Sequence, residues 1–367
     1  MNNIYSRIII SLFILLIRLY LITCYKIISI QYNNKYISNL NQIKLKVKGP
    51  GEYSFLSPFF ETNPSIVYIN NRRENLEYHV FDFPYYENDV ILKFDTKIKY
   101  CNSMFKDCSE IYEIDFTDFD SSLVENINNM FEDCKSLKKI NFGNFQTSKV
   151  ENMLKVFKYC ESLLSVDLSS FDTSNIISFS QMFYNCINLK SLDLSKFNTS
   201  SCISTSDMFY CCESIKSIKL SKFNTSKVTN MNNMFYKCYG LTSLDLSKFD
   251  LTSIKKMENM FYDCGTLELI KISNNFLFSG TKTVSTDEML TNTANKLVFC
   301  VKELKSPKSF KFDTTICSGC SIKKGNITSF LKNHNQNDYC CYETCKECDY
   351  LGNAKYHNCS NCKTGYN

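Results

Sequence analysis

A fixed step of 26 residues runs through the middle of the chain and leaves little freedom over its architecture. A Met-Phe pair, Val-Phe once, falls at Met104, Met130, Val156, Met182, Met208, Met234 and Met260. A cysteine follows each pair at Cys108, Cys134, Cys160, Cys186, Cys212, Cys238 and Cys264. Seven copies without insertion or deletion imply that each is one supersecondary unit lying on the next, because a single globular core imposes no such register. One copy buries too little apolar surface to order its own backbone, so neighbours must supply the rest.

Within a copy the apolar period changes. Leu189, Leu192, Leu194 and Phe197 read as an L-x-x-L-x-L strand of leucine-rich-repeat type, with Leu192 and Leu194 inward and Ser191, Asp193 and Ser195 outward. Thr225-Ser226 is then expected to cap a short helix whose inner side is Val228, Met231, Met234, Phe235 and Cys238. The expected fold is an α/β solenoid, with parallel strands on a concave face and short helices on a convex face. Residues 24–97, with alternation such as Ile43-Lys44-Leu45-Lys46-Val47, read as a β-rich N-terminal cap to repeats spanning 98–275. The step slips at Asn275, so 276–316 read as a C-terminal cap and linker, and 317–367 as a cysteine-rich module.

The chain has 367 residues and is 44% apolar, which excludes wholesale disorder. Its net charge of +5 comes from interspersed Lys, Arg, Asp and Glu without a basic block, so nucleic acid is not an expected partner. None of the three histidines, His79, His334 and His357, lies in the repeats, and no nucleophile elbow, phosphate loop, zinc-protease helix or dinucleotide fingerprint occurs. No enzyme activity and no cofactor are therefore expected. Arg7 precedes an uncharged run from Ile8 to Ile17, and apolar character continues to Thr23, which reads as a signal peptide over 1–23 cleaved near Thr23 or Cys24. Two alternatives stay open: an uncleaved anchor reaching Ile30 with Arg18 inside it, and a lipoprotein box at Leu21-Ile22-Thr23-Cys24. The expected location is secreted or cell-surface, with membrane contact only through this segment or an anchor absent from this chain.

Twenty cysteines in an exported chain suggest disulfides, but register sorts them. The seven ladder cysteines, odd in number and facing one way, read as buried thiols, and Cys101 and Cys202 as core substitutions. Cys211 shares its register with Asp107, Asp133, Tyr159, Asn185, Lys237 and Asp263, so it is the candidate for an exposed thiol or an intermolecular bridge. Cys317, Cys320, Cys340, Cys341, Cys345, Cys348, Cys359 and Cys362 are candidate disulfide partners, and their C-x-x-C pairs equally permit a zinc site. The candidate binding surface is the polar strand face at Asp115, Asn141, Asp167, Ser169, Ser191, Asp193, Ser195, Lys219 and Asp245. Adjacent Asp167 and Asp193 also raise a weak cation site. Asn198, Asn224, Asn326 and Asn358 match the N-glycan acceptor pattern, although turn chemistry accounts for the first two without a sugar.

Leu241-Thr242-Ser243-Leu244-Asp245-Leu246-Ser247-Lys248-Phe249, followed by a Ser/Thr-capped segment ending in Met-Phe-x-x-Cys, resembles the BspA-like leucine-rich repeat family over roughly residues 98 to 272. The cysteine-rich tail resembles growth-factor-receptor (furin-like) repeats. The resemblance implies an exported surface protein that attaches to a protein or glycan on host cells or matrix, with no catalytic residues. A structural coat protein without a specific ligand is the alternative.

Overall fold

The structure, a computed structural model, describes residues 41–74, 80–272, 284–294 and 297–302, with the strand segments 310–311, 338–342 and 347–348. The expected signal peptide lies outside the described residues. The described residues begin with six strands: β1 (Asn41–Lys48), β2 (Gly51–Tyr53), β3 (Ile66–Ile69), β4 (Arg72–Glu74), β5 (Phe81–Phe83) and β6 (Glu87–Phe94). The alternation read in β1 has the expected effect, since Ile43, Leu45 and Val47 are buried while Lys44 is exposed. β1 pairs antiparallel with β6 on one side (Leu45 opposite Val90) and with β7 (Ile111–Asp115) on the other. β7 is the first repeat strand, and it pairs in parallel with β8 (Lys139–Asn141). The N-terminal segment is thus continuous with the repeats in one sheet of order β4-β3-β6-β1-β7-β8.

Further along, β9 (Ser191–Asp193) pairs in parallel with β10 (Ser217–Lys219). β11 (Ser243–Leu246), β12 (Leu269–Ile272) and β13 (Val298–Lys302) form a second parallel group. A two-residue ladder joins β14 (Phe310–Lys311) to β16 (Glu347–Cys348), and β15 (Asp338–Tyr342) lies antiparallel against β13. Residues 163–169 form no strand, so the parallel pairing is interrupted between β8 and β9.

These findings overturn the expected α/β solenoid. No helix occurs among the described residues, and the strands fall into small separate sheets instead of one continuous concave surface. The reason is local. In every copy, the residue before the Met-Phe pair and the residue before the cysteine have positive φ, as at Asn233 (φ 56°) and Lys237 (φ 55°), or Asn129 (φ 60°) and Asp133 (φ 61°). A right-handed helix cannot pass through left-handed residues four apart. The three-and-four spacing of Met231, Met234, Phe235 and Cys238 instead comes from overlapping tight turns: Met234 N–H donates to the Met231 carbonyl, Tyr236 to Asn233 and Cys238 to Phe235. Alternate amides cross to the following copy, where Asn233 donates to the Glu258 carbonyl, Phe235 to Met260 and Lys237 to Tyr262. Thr225, expected to cap the helix, is buried and bonds the neighbouring copy.

Neighbouring copies are held in register by these amides, by isolated parallel bridges such as Ser178–Ser204 and Ser204–Asn230, and by stacked rings. Phe105, Phe131, Phe157, Phe183, Phe209, Phe235 and Phe261 follow one another with centroids 5.2–5.9 Å apart and near-parallel planes. The pattern does not stop at Ile272. Asn259 N–H donates to Asp287, Phe261 to Met289 and Asp263 to Thr291, while Glu288 (φ 55°) and Asn292 (φ 58°) occupy the two left-handed positions. Residues 284–294 and 297–302 therefore lie against the last regular copy as another copy, set off by a three-residue longer step.

Candidate functional site

The polar strand face is built by one device repeated along the chain. In five copies an acid or amide at one strand register has a side-chain Oδ1 that accepts the backbone N–H two residues on: Asp115 from Thr117 (2.9 Å), Asn141 from Gly143 (3.1 Å), Asp167 from Ser169 (2.9 Å), Asp193 from Ser195 (3.0 Å) and Asp245 from Ser247 (2.9 Å). An Asx turn of this kind reverses the chain after the strand and tips the next phenylalanine inward. Gly143 sits in such a turn at φ 53°, where a Cβ would approach Thr117 Cα to 2.9 Å.

The structure brings the predicted face residues together in pairs. Asp115 lies opposite Asn141, whose amide donates to the Asp115 carboxylate at 3.1 Å. Ser191 lies opposite Ser217, and Asp193 opposite Lys219 with a 2.8 Å ion pair. The Lys219 and Ser195 hydrogen bonds hold the Asp193 carboxyl well below the usual range, and the Ser169 hydrogen bonds lower Asp167 against the opposing charge of Asp193. Asp167 and Ser169 fall in the segment without a strand. The weak cation site at Asp167 and Asp193 gains nothing: Lys219 holds one oxygen of Asp193, and no metal-binding group of three side chains occurs among the described residues.

The cysteines correct the expectation of disulfides for the part of the chain described. Cys101, Cys108, Cys134, Cys160, Cys186, Cys202, Cys211, Cys212, Cys238 and Cys264 are all free, and all but Cys211 are buried. From Cys134 onward each ladder thiol donates to the phenylalanine carbonyl of the preceding copy, as in Cys186 to Phe157 at 3.0 Å and Cys212 to Phe183 at 3.1 Å. That carbonyl already accepts the amide of its own copy's cysteine, so the thiol fills its second lone pair. Thiols aimed in one direction at carbonyls do not meet each other, and burial raises their pKa. Cys211 occupies the left-handed position before Cys212 (φ 54°), which explains the Asp and Asn residues in its register but not Tyr159 or Lys237, and partial burial pushes its thiol up to about 11. Among the tail candidates, Cys317, Cys320, Cys345, Cys359 and Cys362 lie outside the described residues. Cys340, Cys341 and Cys348 lie on strands described by their backbone alone.

Asn198 and Asn224 are exposed, and each accepts a backbone amide through its side-chain oxygen, from Ser200 and Ser226 respectively at 3.1 Å. Asn326 and Asn358 lie outside the described residues.

Two arrangements escaped the sequence reading. Tyr184, Tyr210, Tyr236 and Tyr262 stack face to face with centroids 4.4, 4.4 and 4.9 Å apart. The repeated Met-Phe-Tyr was the available signal. Thr173, Thr199 and Thr225 form a buried hydroxyl row, each bonding both the N–H and the C=O of one residue in the next copy.

No curated protein matches the chain. A family model described as "Mycoplasma protein of unknown function, DUF285" matches residues 99–219 and again 189–296, the coils and strands just described and more than half of the chain. With that match covering the very units whose geometry repeats, the chain belongs to the DUF285 family.

Proposed function

We propose that this protein is a surface-exposed or secreted binding protein whose polar strand face recognises a protein or glycan partner. The observation that carries this reading is the pre-ordering of that face. Oδ1 of Asp115, Asp167, Asp193 and Asp245 is committed to a turn, so rows of hydroxyl and carboxylate groups are fixed before any partner arrives. Fixed groups lose less conformational entropy on association than mobile ones. The resemblance to BspA-like surface proteins and the apolar N-terminal segment favour export.

The rival reading is a coat protein cross-linked through cysteine, and Cys211 is a poor agent for it. Its thiol is half-buried and largely protonated at neutral pH, whereas the thiolate is the reactive form.

The test is binding of the full chain to host cells or extracellular matrix, with Asp167→Arg and Asp193→Arg combined. A loss of about tenfold or more supports the reading, and unchanged binding removes the strand face from it. Asp167→Asn with Asp193→Asn controls for folding, because Asn141 already makes the same turn with an amide.

A further inference from the structure

The surface around the fourth to sixth copies carries a charge pattern that the binding reading does not use. Residues 189–248 contain eight lysines against four acids, whereas the charges of the preceding copies are mixed. Two of the four acids, Asp193 and Asp245, are turn caps on the strand face, and Asp193 is neutralised by Lys219. Among the remaining lysines, Lys196, Lys222 and Lys248 share one register, each in a Ser-Lys-Phe sequence directly after the strand. All three are exposed, and none has a carboxylate within ion-pairing distance among the described residues.

Their placement is fixed from both sides. Before the lysines, β9 and β10 pair residue for residue, Asp193 opposite Lys219. After them, the buried phenylalanines Phe197, Phe223 and Phe249 anchor the turn, and Thr199 and Thr225 bind the backbones of Asn224 and Asp250 at 2.8–2.9 Å. The three side chains therefore leave the surface in a line across adjacent copies, Lys196 and Lys222 at about the 4.8 Å spacing of the paired strands that precede them, and Lys222 and Lys248 at the step of the stacked rings Phe223 and Phe249 that follow them, 6.1 Å apart. The same register holds Asp118, Asn144 and Ser170 in the earlier copies, so the line is confined to this end of the array.

We propose that Lys196, Lys222 and Lys248 form a docking track for a linear acidic polysaccharide lying across the copies. This rests on the binding reading in taking the partner to be a glycan, and it adds the chemistry of that glycan: one carboxylate or sulfate per sugar ring. A pyranose ring is about as long as the step between copies, so successive sugars meet successive ammonium groups. Duplex DNA carries charge at about 3.4 Å per strand, which falls out of step with this row. Ser195 and Ser247 precede their lysines, and their hydroxyls are within reach of ring hydroxyls of the same sugars. The pairing is chiefly electrostatic, so affinity falls with salt in proportion to the number of contacts.

The experiment uses the full chain and immobilised heparin, with polygalacturonate as the carboxylate-only probe. Binding at low salt is expected to weaken by about tenfold or more in the combined Lys196→Glu, Lys222→Glu and Lys248→Glu variant, with a shallower salt dependence. The combined Lys138→Glu, Lys149→Glu and Lys155→Glu variant changes the net charge equally and is expected to bind as the wild type does. Equal loss in both variants overturns the track, as does single-stranded polydeoxythymidine displacing heparin at equal charge concentration. The binding reading fails separately: cell attachment that survives removal of acidic glycans from the cells, yet is lost with the strand-face substitutions, refutes the track and leaves that reading standing.

Discussion

Single residues account for what the copies become. Two left-handed positions per copy turn an apparent helix into stacked turns, and only some are occupied by Asn or Asp, the residues that tolerate this conformation best. Lys155 (φ 55°) holds one without such tolerance, so Lys155→Gly is expected to stabilise the protein by about 1 kcal/mol, read as a higher Tm. An unchanged or lower Tm would count against strain at that site. The buried Thr199 hydroxyl bonds Asn224 N–H at 2.8 Å and C=O at 2.9 Å, so Thr199→Val should cost about 1–3 kcal/mol in chemical denaturation by leaving those groups unpaired. Acid sensitivity has a local source as well. The Lys97 hydrogen bond, with help from Ser122, draws the Asp120 carboxyl down to about 2. That group's contribution is complete above the ordinary carboxylate pKa of about 4 and disappears as pH falls through about 2. The pair is exposed enough for solvent to weaken it. Wild type should therefore lose more Tm than Asp120→Asn across that window, and parallel curves would remove Asp120 from the account.

At the scale of elements, register was legible and conformation was not. Matching Phe183 with Phe209, or Leu192 with Ile218, needs only the period, and the rings and strands do meet. The helix misreading arose because turns joined end to end place Met231, Met234 and Phe235 inward at the same intervals as a helix, while φ signs leave no trace in apolar spacing. Lys, Gln and Glu at Lys155, Gln181 and Glu288 hid the Asn/Asp signature that would have exposed them. The extra copy that includes residues 284–294 was hidden by its longer step, although Met289-Leu290 stands where Met-Phe is expected. Of the candidate surface, the alternation revealed which residues face out. It could not reveal that Asp167, Asp193 and Asp245 also close turns, because an Asx bond depends on backbone direction. Ring stacking predicts an asymmetry: Phe183 lies between Phe157 and Phe209, whereas Phe261 has Phe235 on one side and Met289 bonded on the other. Phe183→Ala should cost about 3–5 kcal/mol and Phe261→Ala less, measured by urea denaturation.

For the whole molecule, the two ends are treated alike. An open parallel edge is a template for unwanted pairing, and β1 covers β7 antiparallel at one end as β15 covers β13 at the other. Between them the thiols lie sealed. Native protein exposed to iodoacetamide should be alkylated at none of the seven ladder cysteines, with all seven becoming reactive in denaturant, as read by mass spectrometry. Labelling of Cys186 or Cys212 under native conditions would show that the array opens locally.

Because the described copies hydrogen-bond to the one before and the one after, an added or deleted set of 26 residues leaves the pattern of those contacts as it was. A gene for such a chain can lengthen or shorten by whole repeat units and still encode something that folds. How far the molecule reaches is thus open to inheritance and selection independently of what its ends are made of.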